Sequence, residues 1–287
     1  MKLAHLILAH KNPGQVARLI ARLAHADSHF YIHIDQKTDI TPFLFLTENQ
    51  NVFFISNRVR VFWAGYSQVQ STINSFEEII ARGNNYDFIN LISGQDYPLQ
   101  SATGIHRYLS ENPGKAFMEY YPVYTVWKEA IPRISEYFFT ESSFPGKYYV
   151  EQLLNKILPV RKLPSAMEPV GRSTWFTITS GQVAYILDFV RIHPAYVRFF
   201  KKSWGADELF FQTILYNSPA KKDMVNNNLL YVDWSKGGPN PKMLTMADAG
   251  ALMSSGKLWA RKFDDTVDKE ILDYIDKAID QNSSKDS

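Results

Sequence analysis

The first hundred residues alternate between short apolar runs and stretches of helical periodicity, and this alternation constrains the fold more than any other feature. Short apolar runs are typical of buried strands, whereas apolar residues at every third or fourth position are typical of helices. Strands are predicted over residues 3–8, 30–35, 52–55, 59–61 and 87–92, and helices over residues 16–23 and 67–81. The alternation predicts an α/β fold with a mostly parallel central sheet and ligand sites at the carboxyl ends of its strands.

The second half of the chain is less regular. Residues 120–169 are aromatic, interrupted by proline and weakly periodic, so they predict an irregular insertion with one helix near residues 150–157. Beyond it, strands are predicted over residues 175–178 and 230–233, and helices over residues 182–192, 207–216 and 266–279. We therefore expect one domain over residues 1–280, followed by a polar tail at residues 281–287.

Composition and charge exclude several classes of protein. The 31 Lys and Arg nearly balance the 29 Asp and Glu, which argues against a nucleic-acid partner. Without cysteine the chain can form neither disulfides nor thiolate metal sites, and a reducing compartment is favoured. No apolar run reaches the roughly 18 residues of a membrane span, and the N-terminal run is too short for a signal peptide. We therefore expect a soluble, cytoplasmic protein.

Common phosphate and zinc motifs are missing from the sequence. It contains no G-x-x-x-x-G-K-S/T, no G-x-G-x-x-G after the first strand and no H-E-x-x-H. P-loop kinases, ordinary dinucleotide dehydrogenases and zinc hydrolases are therefore disfavoured. His5, His10 and His33 lie in or beside predicted strands, where histidines are often structural and hydrogen-bonded.

Two acidic side chains follow predicted strands, at the edge of the sheet where ligands bind. Asp35, with Lys37 beside it, could accept hydrogen bonds from a ribose or a base, or could cap a turn. Asp96 lies in the loop of residues 93–98, which either forms the floor of a ligand site or only turns the chain. The first half of the chain has no Asp-x-Asp at a strand end.

Four blocks of sequence carry a family resemblance. They are VFWAGYSQVQ at residues 61–70, INLISGQDYPL at 89–99, ADELFFQTI at 206–214 and WARKF at 259–263. In this order they resemble the core-2/I-branching N-acetylglucosaminyltransferase and peptide O-xylosyltransferase family, glycosyltransferase family 14. The closing stretch is closer to the xylosyltransferases, whereas Thr174 stands where those enzymes carry an acid. The chain lacks the cysteines and membrane anchor of secretory members, as in a bacterial-type relative.

The resemblance implies a GT-A fold and an inverting glycosyltransferase. A sugar of the GlcNAc or xylose class would move from a UDP-sugar to a hydroxyl of a glycan or glycolipid, forming a β linkage without a metal or other cofactor. Residues 1–115 would form the nucleotide-binding half and residues 116–280 the acceptor-side half. Peripheral association with the inner face of a membrane is a further expectation, and the sequence leaves the oligomeric state open.

The resemblance also assigns roles to individual residues. Glu208 matches the catalytic base, and a neighbouring Asp207 would point about 100° away on a helix and cap its first turn. The diphosphate would be bound by Arg261 and Lys262, with Lys242 near a further basic position. These basic residues could otherwise be an exposed pair before a helix.

The remaining assignments concern the two substrates. His10, Asp35 and Lys37 are candidates for the nucleoside. Candidates for the sugar and acceptor are Trp63, Gly65, Asp96 and Trp175, although large tryptophans beside strands are as often core residues. A non-catalytic carbohydrate-binding protein on the same fold is the alternative function that the sequence leaves open.

Overall fold

The computed structural model describes residues 1–283, which form two β-sheets and ten α-helices within that range. The strands are β1 Leu3–Ala9, β2 Ser28–Ile34, β3 Val52–Phe54, β4 Phe88–Ser93, β5 Asp96–Pro98, β6 Ala116–Pro122, β7 Val170–Thr179, β8 Met224–Asn226, β9 Leu230–Val232 and β10 Trp259–Arg261. The helices are α1 Pro13–Arg22, α2 Tyr66–Ala81, α3 Ala102–Ser110, α4 Ile131–Ser135, α5 Lys147–Ile157, α6 Ser180–Ile192, α7 Pro194–Phe200, α8 Phe210–Tyr216, α9 Ala249–Ser254 and α10 Glu270–Ser283.

The larger sheet has seven strands in the order β3-β2-β1-β4-β7-β6-β8. Four neighbouring pairs are parallel, and only β7 runs antiparallel to its neighbours β4 and β6. Every residue of β4 is buried, as expected for a strand covered by helices on both faces. The predicted α/β fold with a mostly parallel central sheet flanked by helices is confirmed.

Helix α2 shows how the apolar pattern of the sequence becomes packing. Val69, Ile73 and Phe76 fall on one side of the helix and are buried. The ring of Phe76 meets Phe176 of β7 and Phe211 of α8 at centroid distances of 6.3 and 5.9 Å. Burying one such side chain contributes about 1.5–3 kcal/mol, so this stripe fixes α2 against the sheet.

A smaller sheet of three strands, in the order β5-β10-β9, lies beside the carboxyl end of β4. Strand β10 is antiparallel to β5 and parallel to β9, and Arg261 stands directly opposite Asp96. The sequence predicts only β9 of this sheet, because strands of three residues carry too little periodicity to identify.

Two predictions that concern strands are wrong. Residues 59–61 form a loop and not a strand, since Val59 bonds through its backbone to the His33 ring and to Gln36. Residues 120–122 belong to β6 and not to the irregular insertion, whose remainder contains α5 as predicted.

Two helix predictions in the second half of the chain also need correction. The helix predicted over residues 207–216 divides into a 3₁₀ turn, Ala206–Glu208, and α8. The last helix begins at Glu270, because the backbone and hydroxyl of Thr266 bond Asp264 in a turn. It extends to Ser283, so residues 281–283 are helical, and residues 284–287 of the predicted tail lie outside the described part. Within residues 1–283 no helix is long and apolar enough to cross a bilayer.

Candidate active site

A cleft of about 960 Å³ opens at the carboxyl ends of β1, β2 and β4. The small sheet, the 3₁₀ turn at residues 206–208 and the insertion form its other walls. Seven of the residues predicted from the sequence line this cleft: His10, Asp35, Trp63, Trp175, Glu208, Arg261 and Lys262. The cleft therefore lies at the edge of the sheet that the alternating pattern predicts for a ligand site.

Arg261 enters the cleft from the end of β10. Its Nε lies 3.2 Å from Oδ1 of Asp96, without the alignment of a hydrogen bond, and its guanidinium lies over the Trp175 ring at 4.4 Å. Asp96 is fully buried and accepts hydrogen bonds from the backbone and hydroxyl of Ser93 at 2.8 and 2.7 Å. Burial raises the pKa of Asp96, while Arg261 opposes that shift. Asp96 therefore supports Arg261 from behind the cleft wall.

Lys262 gives the cleft a second cation next to Arg261. Desolvation, Arg261 and Lys11 lower the pKa of Lys262. Lys11 is paired with Asp264 at 2.5 Å, whereas Lys262 makes no salt bridge within residues 1–283. An anionic ligand would stabilise the charged form of Lys262, because it would offset both the desolvation and the repulsion from Arg261 and Lys11.

His10 borders the same end of the cleft. Desolvation, followed by the charges of Lys11 and Lys262, lowers the pKa of His10. The imidazole is therefore expected to be neutral at pH 7, when it can either donate or accept one hydrogen bond.

Asp35 lies at the end of β2, where its carboxylate faces the cleft. Its Oδ1 accepts a hydrogen bond from the backbone N–H of Lys37 at 2.9 Å. The Lys37 ammonium donates to the carbonyl of Val61 at 2.6 Å and lies 3.4 Å from Asp35 Oδ2. Lys37 thus holds the loop of residues 59–61 against Asp35.

Glu208 projects into the cleft from the 3₁₀ turn. Its Oε2 accepts a hydrogen bond from Nη1 of Arg133, while Oε1 has no hydrogen-bond partner within residues 1–283. The guanidinium of Arg133 lies between the rings of Trp127 and Trp204, at 4.6 and 4.5 Å. This arrangement fixes the orientation of Glu208 and leaves one oxygen available to a ligand.

The turn that carries Glu208 packs against the backbone of β7. A Cβ added at Gly171 would lie 2.0 Å from the carbonyl oxygen of Glu208 and 2.9 Å from Cα of Leu209. Gly205 precedes the turn in the left-handed region, with φ 63, and donates its N–H to Ala64 O at 2.8 Å. Both glycines are therefore required for the position of Glu208.

Gly171→Ala is expected to destabilise the fold by about 1–3 kcal/mol and to displace Glu208, because the added methyl group meets backbone that cannot rotate away. Thermal unfolding and a crystal structure of the variant would measure the two effects. Gly181→Ala is the matched control, since its added Cβ would meet only the Thr179 hydroxyl at 3.8 Å. Equal stability of the two variants would contradict the close contact between Gly171 and the backbone of Glu208.

Asp207 is buried at the rim of the cleft, and its Oδ2 accepts a hydrogen bond from the Thr174 hydroxyl at 2.5 Å. The predicted cap of a helical turn is therefore wrong, because the carboxylate points toward β7. Burial, together with the charge of Glu208, raises the pKa of Asp207.

The raised pKa of Asp207 predicts a pH-dependent stability. A carboxyl of this kind favours the folded state when protonated, and that contribution disappears as the pH rises through the folded-state pKa. Asp207→Asn stays neutral, so its stability relative to wild type is expected to increase by about 1–2 kcal/mol between about pH 4 and about pH 8. Unfolding curves at several pH values, with the exposed Asp188→Asn as control, would measure this. A difference independent of pH would contradict the prediction.

Residues 3–253 match the sequence model of one family, which is described as "Core-2/I-Branching enzyme". The chain belongs to the Core-2/I-Branching enzyme family. The family predicted from the four sequence blocks is confirmed.

Similar proteins include Xylosyltransferase 2 of Rattus norvegicus, 25% identical over 304 residues, and Xylosyltransferase of Ciona intestinalis, 22% identical over 310 residues. Both alignments cover 96% of this chain but 33% and 34% of those relatives, so the chain spans about a third of their length. The solved structure of mouse Xyloside xylosyltransferase 1 in its apo form aligns with TM-score 0.39 and 10% identity, covering 90% of this chain and 96% of that one.

In this member of the Core-2/I-Branching enzyme family, Lys242 does not line the cleft. Its ammonium lies 2.5 Å from Asp248 and 3.6 Å from Asp233, and its backbone N–H donates to Asp233 O at 2.8 Å. These contacts hold the base of the loop formed by residues 234–241, and a diphosphate contact from Lys242 remains a prediction.

Three of the residues predicted to contact the substrates act from outside the lining of the cleft. They are Lys37, Gly65 and Asp96. Gly65 precedes α2, where an added Cβ would lie 2.6 Å from Oε1 of Glu141, a carboxylate bonded by the Ser67 N–H. Its small size therefore makes room for Glu141. These three residues therefore support the wall of the cleft, and direct ligand contacts from them remain a prediction.

The two predicted tryptophans differ in exposure. Trp63 is 59% exposed and meets Trp204 edge to face at a centroid distance of 5.6 Å. Trp175 is 8% exposed and supports the Arg261 guanidinium. Trp63 is thus available to a sugar ring, whereas Trp175 offers an edge at most.

Sequence reasoning missed a group of residues that line the cleft, namely Glu119, Trp127, Arg133, Arg172, Trp204 and Lys257. Most of them lie in or next to the weakly periodic insertion, where no motif distinguishes a site residue from a surface residue. Burial raises the pKa of Glu119, which makes it a second carboxyl of interest in the cleft. Among the residues described, no cluster of three or more His, Asp or Glu side chains could hold a metal ion.

Proposed function

We propose that this chain is an inverting glycosyltransferase that moves a sugar of the GlcNAc or xylose class from a UDP-sugar to a hydroxyl of a glycan or glycolipid. The linkage formed would be β, and the reaction would need no divalent metal. One observation supports the proposal most: Glu208 and the pair Arg261 and Lys262 line the same cleft. Family membership supports the same class of reaction.

The acceptor would be activated by Glu208. Its free Oε1 accepts the proton of the acceptor hydroxyl while that oxygen forms a bond to the anomeric carbon of the sugar. Arg133 keeps the other oxygen in place, so the carboxylate does not have to reorient during the reaction. Attack from the side opposite the UDP inverts the anomeric centre.

The leaving UDP takes the electron pair of the broken bond between the anomeric carbon and the diphosphate oxygen. Arg261 and Lys262 would stabilise the charge that develops on that oxygen, as a bound cation can. Asp35 and the neutral His10 would contact the nucleoside, since both lie where β1 and β2 end. Trp63, with Trp204 behind it, offers an aromatic face to a sugar.

A panel of UDP-sugars tests the proposal through UDP release and through thermal shift, each with and without EDTA. We expect one or a few donors to raise the melting temperature and to release UDP, with no loss of either effect in EDTA. Binding without any UDP release, in the presence of varied glycan acceptors, would favour a non-catalytic binding protein. Turnover that EDTA abolishes would contradict the metal-independent mechanism.

A further inference from the structure

Helix α5 presents its apolar side to solvent, the reverse of an ordinary surface helix. Tyr149, Leu153 and Ile157 recur at every fourth position and are 79%, 58% and 66% exposed. Val160, just beyond the helix, is 70% exposed. Single exposed apolar residues are common, but a continuous row of them on one helix marks an interaction surface. We call these four residues the α5 stripe.

The opposite side of the helix is attached to the protein by polar contacts. Asn155 accepts a hydrogen bond from the backbone N–H of Tyr137 at 2.7 Å and donates to its carbonyl at 3.0 Å. Glu151 accepts a hydrogen bond from the N–H of Phe139 at 2.6 Å. These hydrogen bonds hold one side of α5 against residues 137 and 139. The α5 stripe, on the other side of the helix, therefore faces outward.

Arg161 anchors the chain just after the stripe. Its guanidinium donates to the carbonyls of Glu136, Lys202 and Phe199, and burial lowers its pKa to about 10. A buried cation bonded to three carbonyls fixes this segment firmly. The surface that it supports is therefore a built feature of the fold.

The charged residues of α5 and of the segment just after it are mainly positive. Exposed Lys156 and Lys162, together with Lys147 at the start of α5, flank the apolar row. The nearest acid in α5, Glu151, is occupied by the Phe139 N–H. Helices that lie in the interface of an anionic bilayer typically combine an apolar row with an aromatic residue and with lysines beside it. The α5 stripe and its lysines have this composition.

We propose that the α5 stripe and its lysines bind this chain to the surface of a membrane that contains anionic lipids. The binding goes beyond the proposed function and does not depend on it. Residues 136–139 connect the α5 contacts to α4, which carries Arg133, the partner of Glu208. If the proposed function holds, docking through α5 places the acceptor side of the cleft near lipid-linked acceptors.

Co-sedimentation with vesicles tests the proposal on the whole chain without any substrate. The wild type is expected to bind vesicles of phosphatidylcholine and phosphatidylglycerol, and to bind vesicles of phosphatidylcholine alone much more weakly. Leu153→Ser with Ile157→Ser is expected to lower the partition coefficient by about tenfold or more, because two apolar side chains would no longer insert into the bilayer. Lys156→Gln is expected to lower it by about fivefold.

Ile192→Ser is the matched control, because Ile192 is an exposed isoleucine, 68% accessible, at the end of α6 and outside the stripe. It is expected to bind vesicles as the wild type does, and circular dichroism would establish that all variants are folded. Equal binding by the stripe variant and the control would overturn the proposal. The proposal would also be overturned if light scattering showed that the wild type is a dimer and the stripe variant a monomer. The α5 stripe would then be the contact between two copies of this chain. UDP release in solution should be unchanged in the stripe variant, which separates this test from that of the proposed function.

Discussion

Glu208→Gln is expected to lower the rate of sugar transfer by about 10²- to 10⁴-fold while UDP binding stays nearly unchanged. The amide keeps the size of the side chain and can still meet Arg133, but it cannot accept the proton of the acceptor hydroxyl. UDP release from the preferred donor, with binding followed by calorimetry, would measure both effects. The loss should fall on kcat, because the interaction that is removed strengthens in the transition state.

Two comparisons make the Glu208 prediction specific. Glu77→Gln alters an exposed glutamate of α2 outside the cleft lining and should leave turnover unchanged. Arg133→Met removes the cation that orients Glu208 and should also reduce kcat, though by less than the loss of the base itself. Turnover by Glu208→Gln equal to that of the wild type would reject Glu208 as the base.

Lys262→Ala and Arg261→Ala are both expected to lower kcat, by about 10²- to 10³-fold each, but to differ in stability. Lys262 makes no salt bridge in the described chain, so its removal relieves repulsion with Arg261 and Lys11 and should leave the melting temperature at or above that of wild type. Arg261 faces the buried Asp96, so its removal should cost about 3–5 kcal/mol of folding free energy.

Steady-state kinetics and thermal unfolding of the two variants would test this contrast. Lys222→Ala, in an exposed turn outside the cleft lining, is the control for loss of one positive charge. The double variant Arg261→Ala with Asp96→Ala should recover part of the lost stability, since no charge is then buried without a partner. Full activity in Lys262→Ala would remove that residue from the proposed diphosphate site.

The strand and helix pattern of the first hundred residues predicted the central sheet because β1, β2 and β4 are almost completely buried. A strand that helices cover on both faces is mostly apolar, and the apolar runs within β1, β2 and β4 therefore stand out in the sequence. Strand β6 and the small sheet lacked this signal, because part of β6 is only half buried and β5, β9 and β10 have three residues each.

Some residues of the candidate site could be identified from the sequence, whereas the roles of others depend on their contacts. Glu208, Arg261 and Lys262 belong to recognisable sequence blocks, and the structure brings them to one cleft. Lys242 also has suitable chemistry for a diphosphate, but its neighbours Asp233 and Asp248 occupy it. The sequence placed Lys242 only near a basic position of the family, and only the contacts distinguish its paired ammonium from that of Lys262, which makes no salt bridge in the described chain.

By itself the sequence determined the family, the α/β class and the identity of the main charged residues, because apolar periodicity and motif blocks are local properties of the chain. Tertiary structure decided which side chains face the cleft and which support it from behind. It placed Asp96 behind Arg261, turned Asp207 toward Thr174, and brought the distant Trp204 to the guanidinium of Arg133. Such contacts join residues far apart in the chain, so their burial and pairing depend on packing that no local pattern records.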